Sequence, residues 1–159
     1  MRLSLATALP PPQVTSSILA LVVNSHSQVL YLWPSQPSGS IAHLLIGGRP
    51  KSGETPEATV IREVGEETGW HVAPRRMIGF RHFFHLGPRP EQSDRPYPDF
   101  VQPVYAALAV EFDKNLLVDA DEIAAEFIDF ATVERQTDLA QRPLLHAAVN
   151  EIKSGKARS

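Results

Sequence analysis

Glu54, Glu63, Glu66 and Glu67 crowd four carboxylates into one short stretch, GRPKSGETPEATVIREVGEETGW, from Gly48 to Trp70. Unpaired like charges on neighbouring helix turns repel. A divalent cation is the simplest partner that makes the arrangement favourable. The ligand type narrows the choice of ion. The chain has no cysteine, so a thiolate site is excluded. Carboxylate oxygens suit hard cations such as Mg²⁺ or Mn²⁺. Mg²⁺ usually takes one or two protein carboxylates and keeps waters and substrate phosphates as its other ligands. Three or four acids therefore have capacity for more than one ion. Such a cluster would neutralise a polyphosphate, orient it and lower the pKa of an attacking water.

The elements that must position these acids are legible around them. Gly47–Gly53 is rich in glycine and proline and reads as a loop. Thr55 is a fair N-cap and Pro56 suits the first helical position. A helix is predicted from Pro56 to Thr68, with Gly69 as its C-terminal stop. On that helix Glu63, Glu66 and Glu67 stand at i, i+3 and i+4 and share a face. Ala58, Ile61, Gly65 and Thr68 are expected on the opposite, buried face, with Val64 at its flank. Gly65 costs about 1 kcal/mol relative to Ala inside a helix, and close packing against a sheet is the expected reason to keep it.

The same stretch resembles the Nudix box, G-x5-E-x7-R-E-U-x-E-E-x-G-U with U apolar, and every specified position is met. The resemblance implies a Nudix-type αβα sandwich, a mixed sheet flanked by helices. It implies hydrolysis of a phosphoanhydride bond in a nucleoside diphosphate linked to another moiety, with Mg²⁺ or Mn²⁺. Glu63, Glu66 and Glu67 match the carboxylates that bind the catalytic ions, and Glu63 is also a candidate general base. Arg62 matches the arginine that orients those acids. Gly48 heads the box, and Glu54 matches the loop acid that supports the site. The carbonyl of Gly47 matches a position that ligates metal in relatives. In several relatives a late-loop carboxylate adds a ligand or serves as base. Asp121 and Glu122 are the candidates here, against the alternative of a solvated acidic turn. Relatives often have Pro before the double glycine and an acid after it. This chain has Ile46 and Lys51, and Lys51 is expected to be solvent-exposed.

Composition sets the frame. The 159 residues are 43% hydrophobic and 21% charged, ordinary values for one globular domain spanning the chain. Residues 1–13 read as an N-terminal arm too short for a signal peptide. The net charge of −3 gives no general attraction to nucleic acid or anionic membrane. The expected partner is a small nucleotide-type molecule, with neither a nucleic acid polymer nor a membrane, and a homodimer is compatible with the resemblance. The lack of Cys fits a reducing, cytoplasmic compartment.

Strands are predicted at Ser17–Asn24, Gln28–Trp33, Ile41–Ile46, Trp70–Val72, Arg76–Leu86, Phe100–Phe112 and Glu126–Phe130. A helical turn is expected within Thr132–Leu139, and a longer amphipathic helix over Pro143–Ser154. The Pro-rich loop Gly87–Pro98 covers a substrate, extends an edge or makes a dimer contact; its Tyr97 either stacks on a base or pins the loop. Arg81, Phe83 and His85 share one strand face, with His82 and Phe84 on the other. His26, His43, His71 and His146 show no metal-like spacing. Two further readings stand beside hydrolysis. One is a noncatalytic Nudix-fold module that senses a nucleotide or binds a partner, and the other is an acidic docking face. Noncatalytic modules commonly lose box acids, and this chain has kept them all. No accessory signature in the flanks selects among nucleoside triphosphates, ADP-ribose and nucleotide sugars.

Overall fold

Ile18–Val23 (β1) carries no polar side chain, and all six of its residues are buried. A strand that is apolar at every position needs cover on both faces, and that requirement organises the molecule. The computed structural model describes residues 17–33, 44–92, 96–118 and 124–157. After β1 come β2 (Gln28–Trp33), β3 (Ile46–Gly48), α1 (Pro56–Thr68), β4 (Trp70–Phe84) and β5 (Asp99–Phe112). A 3-10 turn (Lys114–Leu116), β6 (Ala124–Asp129), α2 (Phe130–Gln136) and α3 (Arg142–Ala157) complete the order.

The strands form one mixed six-stranded sheet in the order β4-β5-β1-β2-β6, with β3 also paired to β1. β1 runs parallel to β5 from Leu19↔Val104 to Val23↔Leu108. Its other edge is shared: β3 takes the first half, Ile18↔Gly48 to Ala20↔Ile46, and β2 meets it at Val23↔Val29. Alternation along β1 then feeds two cores. Ile18, Ala20 and Val22 pack with Val60 and Val64 of α1. Leu21 and Val23 pack with Leu145, Ala148, Val149 and Ile152 of α3 and Val133 of α2. Helices thus cover both sheet faces, the expected αβα sandwich.

Several boundaries differ from the sequence-based expectation. Of the third strand expected over Ile41–Ile46, the described residues Leu44 and Leu45 are not in strand, and the strand they lead into is Ile46–Gly48, running through the double glycine. Residues 41–43 lie outside the described residues. Gly47 pairs so closely with Leu19 that a Cβ there would collide with the Ile18 carbonyl oxygen, so only glycine lets this strand form. The two predicted pieces after the helix are one continuous strand, β4, which passes through Pro74 with register shifts on either side of it. β4 is an edge strand, where a missing N–H leaves no neighbour unpaired. The last strand starts earlier than predicted and ends at Asp129, so Phe130 opens α2 rather than closing the strand. Within α1 the buried residues are Thr59, Val60, Val64, Gly65 and Thr68, whereas Ile61 is 45% exposed. The buried stripe is therefore centred on Val60 and Val64, not on Ile61. Gly65 faces Leu116 of the 3-10 turn rather than the sheet.

Candidate active site

The register of α1 decides where its acids point, and the cap residues set that register. Thr55 is extended and its hydroxyl accepts a hydrogen bond from the Ala58 N–H at 3.1 Å. Gly69 adopts φ 76°, a left-handed conformation open to glycine, and its N–H donates to the Gly65 carbonyl at 2.9 Å. Trp70 then packs edge-on against Phe127, with ring centroids 5.0 Å apart, and fastens the C-terminal end of the helix to the sheet.

Arg62 is the hub of the acidic face. Its Nε donates to Glu54 Oε1 at 2.7 Å and its Nη2 to Glu54 Oε2 at 2.9 Å, a bidentate fork. Nη2 also donates to the Arg49 carbonyl at 2.9 Å. Nη1 reaches Glu63 Oε1 at 2.6 Å and Glu66 Oε2 at 3.3 Å. The hydrogen bonds to Glu54, followed by those to Glu63, hold the guanidinium above its ordinary pKa. Glu54 is itself tied down from the loop side. Its Oε2 accepts from the Lys51 N–H at 2.8 Å and from the Thr59 hydroxyl at 3.0 Å. The Arg62 guanidinium and then the Lys51 N–H lower its carboxyl to a pKa of about 2. One arginine and one loop carboxylate thereby lock the glycine loop, the helix and two further acids together.

Glu63 lies against the loop floor. A Cβ on Gly48 would come within 2.5 Å of the Glu63 carboxyl carbon, so the missing side chain is what admits the carboxylate. Glu67 has a different environment. Burial, reinforced by the charges of Glu63 and Glu66, pushes its carboxyl up to a pKa of about 7. Glu54, Glu63, Glu66 and Glu67 set four carboxylates against one guanidinium, so even with Glu67 protonated the acidic face carries more negative charge than Arg62 can balance. That deficit, a donor set made only of hard carboxylate oxygens and the glycine floor fit a hard divalent cation. Among the described residues no three acids are already gathered at ligand spacing, because Glu63 and Glu66 turn their oxygens toward Arg62.

The predicted residues Gly48, Glu54, Arg62, Glu63 and Glu66 converge in this network, Gly47 precedes Gly48 in β3 and lies against Ile18 and Leu19, and Glu67 stands on the adjoining turn. Asp121 and Glu122 lie outside the described residues. The chain leading to them is tied to α1 by a hydrogen bond from the Val118 N–H to the Glu66 carbonyl at 3.2 Å. Lys51 is exposed, as expected, but its backbone N–H holds Glu54. Sequence reasoning missed that contact, the Arg49 carbonyl and Thr59. Only Thr59 leaves a trace in the letters, standing four residues after the cap Thr55 and bonding its carbonyl at 3.0 Å.

A second surface with partly exposed aromatic side chains is the β4–β5 hairpin. Phe83 stacks on Phe100 with centroids 5.0 Å apart and planes at 16°, and the Arg81 guanidinium lies 4.8 Å from the Phe83 ring centre. His82 bonds Asp99 at 2.9 Å on the opposite face. Of the two roles open to Tyr97 the structure shows pinning: its hydroxyl donates to the Gly87 carbonyl at 2.9 Å. His26, His71 and His146 make local contacts with Ser25, Asp113 and Glu134, and His43 lies outside the described residues.

The family model described as NUDIX domain matches residues 14–148. Among curated proteins the chain is similar to an octanoyltransferase of Myxococcus xanthus, 29% identical over 123 residues, covering 77% of this chain and 32% of that protein. The chain thus spans about a third of the length of the curated relative it matches. Among solved structures it is similar to a NUDIX hydrolase from Nitrosomonas europaea, with a TM-score of 0.57 and 20% identity over 91% of this chain and 90% of that one. It is also similar to a MutT protein from Methanosarcina mazei Go1, with a TM-score of 0.56 and 20% identity over 94% of this chain and 99% of that one. The solved structures show the shared fold.

Proposed function

The chain belongs to the Nudix family, and from that premise we propose that it is a pyrophosphohydrolase, hydrolysing a phosphoanhydride bond in a nucleoside diphosphate linked to another group, with Mg²⁺ or Mn²⁺. The observation that carries this reading is the network in which Arg62 joins Glu54, Glu63 and Glu66 beside the Gly48 floor. Glu63, Glu66 and Glu67, with the Gly47 carbonyl, would hold the cation. Once bound, that cation supplies charge neutralisation at the diphosphate and a more acidic attacking water. Arg62 and Glu54 keep the acids in register, so that little reorganisation remains at the moment of reaction. Glu63 is the candidate base for the in-line attack of water on phosphorus, with Asp121 and Glu122 as the late-loop alternatives. A noncatalytic module would have no need of an intact acid set, and this chain keeps every acid of the box.

Turnover across a panel of nucleoside triphosphates, ADP-ribose and nucleotide sugars with Mg²⁺, for wild type and Glu67→Gln, tests the proposal. Loss of a cation ligand is expected to lower kcat/KM by about 100-fold or more. Equal rates in the two proteins would remove Glu67 from the site. No turnover by wild type on any member would remove the hydrolytic reading.

A further inference from the structure

β4 closes one end of the sheet, and among the described residues no strand pairs with its outer edge. A bare edge offers unpaired N–H and C=O groups to another chain, and proteins blunt it with prolines, charges and bulges. The first half of β4 is blunted in all three ways, by Pro74, by the exposed Arg75 and Arg76, and by three register shifts before Gly79. The second half has neither proline nor shift: the rows from Gly79↔Val104 to Phe84↔Asp99 keep one register. Its side chains are apolar and open, with Phe80, Phe83 and Phe84 59%, 37% and 49% exposed. A cleft of about 640 Å³ follows the same residues, lined by Gly79, Phe80, Arg81, His82 and Phe83 and walled by Gln141, Pro143 and Leu144. Successive strand residues alternate between sheet faces, so a cleft lined by consecutive residues runs along the strand's edge.

The backbone fixes which groups this edge offers. The His85 N–H donates to the Pro98 carbonyl at 2.9 Å, and that pair continues the register of the rows before it. Hydrogen-bonded and non-hydrogen-bonded rows alternate in an antiparallel pair, so Phe83, Arg81 and Gly79 also bond inward to β5. Phe80, His82 and Phe84 therefore turn their N–H and C=O groups outward. A second copy related by a two-fold axis at His82 sets Phe80 opposite the partner's Phe84, and His82 opposite the partner's His82. Every outward group then faces an outward group. Arg81, whose guanidinium lies 4.8 Å from its own Phe83 ring centre, comes opposite the partner's Phe83. An axis at Arg81 would instead set two guanidinium groups directly opposite each other, and like charges there are destabilising. An axis at Phe83 would run Phe80 against Leu86, past the end of the strand. Charge pattern and strand length thus select one self-complementary register.

We propose that the Gly79–Phe84 edge is the contact between two copies of this chain, paired antiparallel about a two-fold axis at His82 so that their sheets become one. Such an isologous contact is closed, because each copy uses its β4 edge on the other. The area fits a pair. With a phenylalanine worth roughly 200 Å², the three rings leave about 300 Å² open on each copy and about 600 Å² in the two together. Specific interfaces begin near 1,200 Å² in total, so the rings supply about half. The strand backbone, Arg81, His82 and the cleft walls supply the remainder.

The test is sedimentation equilibrium of wild type, Phe80→Glu, Phe84→Lys and the double variant, at protein concentrations up to about 100 µM. Wild type is expected to reach twice the 17.5 kDa mass of the chain. Each single substitution sets a charge against a phenylalanine on both sides of the axis and is expected to weaken association about tenfold or more. The double variant sets the new carboxylate against the partner's new ammonium and is expected to regain the dimer. Along one strand the two positions are about 13 Å apart, so they cannot pair within a copy. Where a variant fails to fold, cross-linking decides. The chain has no native cysteine, so a short bismaleimide is expected to join two copies of His82→Cys at the axis and to leave Ile61→Cys, at an exposed position on α1, unjoined. A monomeric wild type, a dimer indifferent to both single substitutions, no recovery in the double variant, or no cross-link through His82→Cys would each overturn the proposal.

Discussion

At the scale of single residues, the site depends on one planar cation. Arg62 makes five hydrogen bonds in the plane of its guanidinium, two to Glu54 and one each to Glu63, Glu66 and the Arg49 carbonyl. A lysine offers a point charge on a flexible stem and cannot reproduce that fork. Arg62→Lys is therefore expected to lower kcat by about 10–100-fold, the usual cost of disturbing a residue that orients ligands, and steady-state kinetics would show it; an unchanged kcat would mean that charge alone suffices. Gly48 supplies an independent test on the other side of Glu63. The Cβ of Gly48→Ala would meet the Glu63 carboxyl group, which must rotate away from Arg62 to make room. A comparable fall in kcat with a melting temperature close to that of wild type is expected, because the displaced group is a side-chain end rather than backbone. The acids, the arginine and the glycine were all legible in the sequence, since their types and spacing carry the pattern. The Lys51 N–H and the Arg49 carbonyl were not, because a backbone group has no letter of its own.

At the scale of elements, local signals worked where local physics decides. Thr55, Pro56 and Gly69 placed both ends of α1, because caps act on adjacent backbone groups. The signals misled where the outcome depends on what packs alongside. Ile61 reads as apolar and is exposed, since the sheet takes the stripe through Val60 and Val64. Pro74 reads as a strand breaker and lies inside β4, since the edge position leaves its missing donor harmless. Gly65 reads as a point of close approach to a sheet, yet a Cβ there would sit 3.4 Å from Leu116 Cδ1, an ordinary contact with a movable side chain. Gly65→Ala should therefore stabilise the protein by about 0.5–1 kcal/mol through helix propensity, raising the denaturation midpoint with kcat unchanged. A lowered midpoint would mean that Leu116 cannot give way and that the 3-10 turn, not the helix, requires the glycine.

At the scale of the whole molecule, folding gathers acidic charge onto one face. The αβα sandwich was legible once the box resemblance stood beside a run of apolar strands, but strand order was not, because pairing partners are set by contacts far apart in sequence. In the folded chain the sheet holds α1 so that Glu63, Glu66 and Glu67 present one face, and burial with mutual repulsion pushes Glu67 up to about pKa 7. In the unfolded chain the same acids separate and are solvated. A cation that binds the face therefore binds the native state preferentially and stabilises it by RT ln(1 + [L]/Kd), about 2.7 kcal/mol at 100 times Kd. Mg²⁺ or Mn²⁺ is accordingly expected to raise the melting temperature of wild type in a concentration-dependent way, and chelation to remove the increment together with turnover. Glu67→Gln relieves part of the repulsion and removes one of the carboxylates proposed to hold the cation. Its metal-free form is expected to melt no lower than wild type, but to gain little from added cation. Calorimetric melting of both proteins across a Mg²⁺ series separates these effects. Equal metal-dependent shifts in the two would mean that the ion is held without Glu67. No shift in either, with turnover still dependent on added metal, would mean that the ion arrives with the substrate rather than residing on the acidic face.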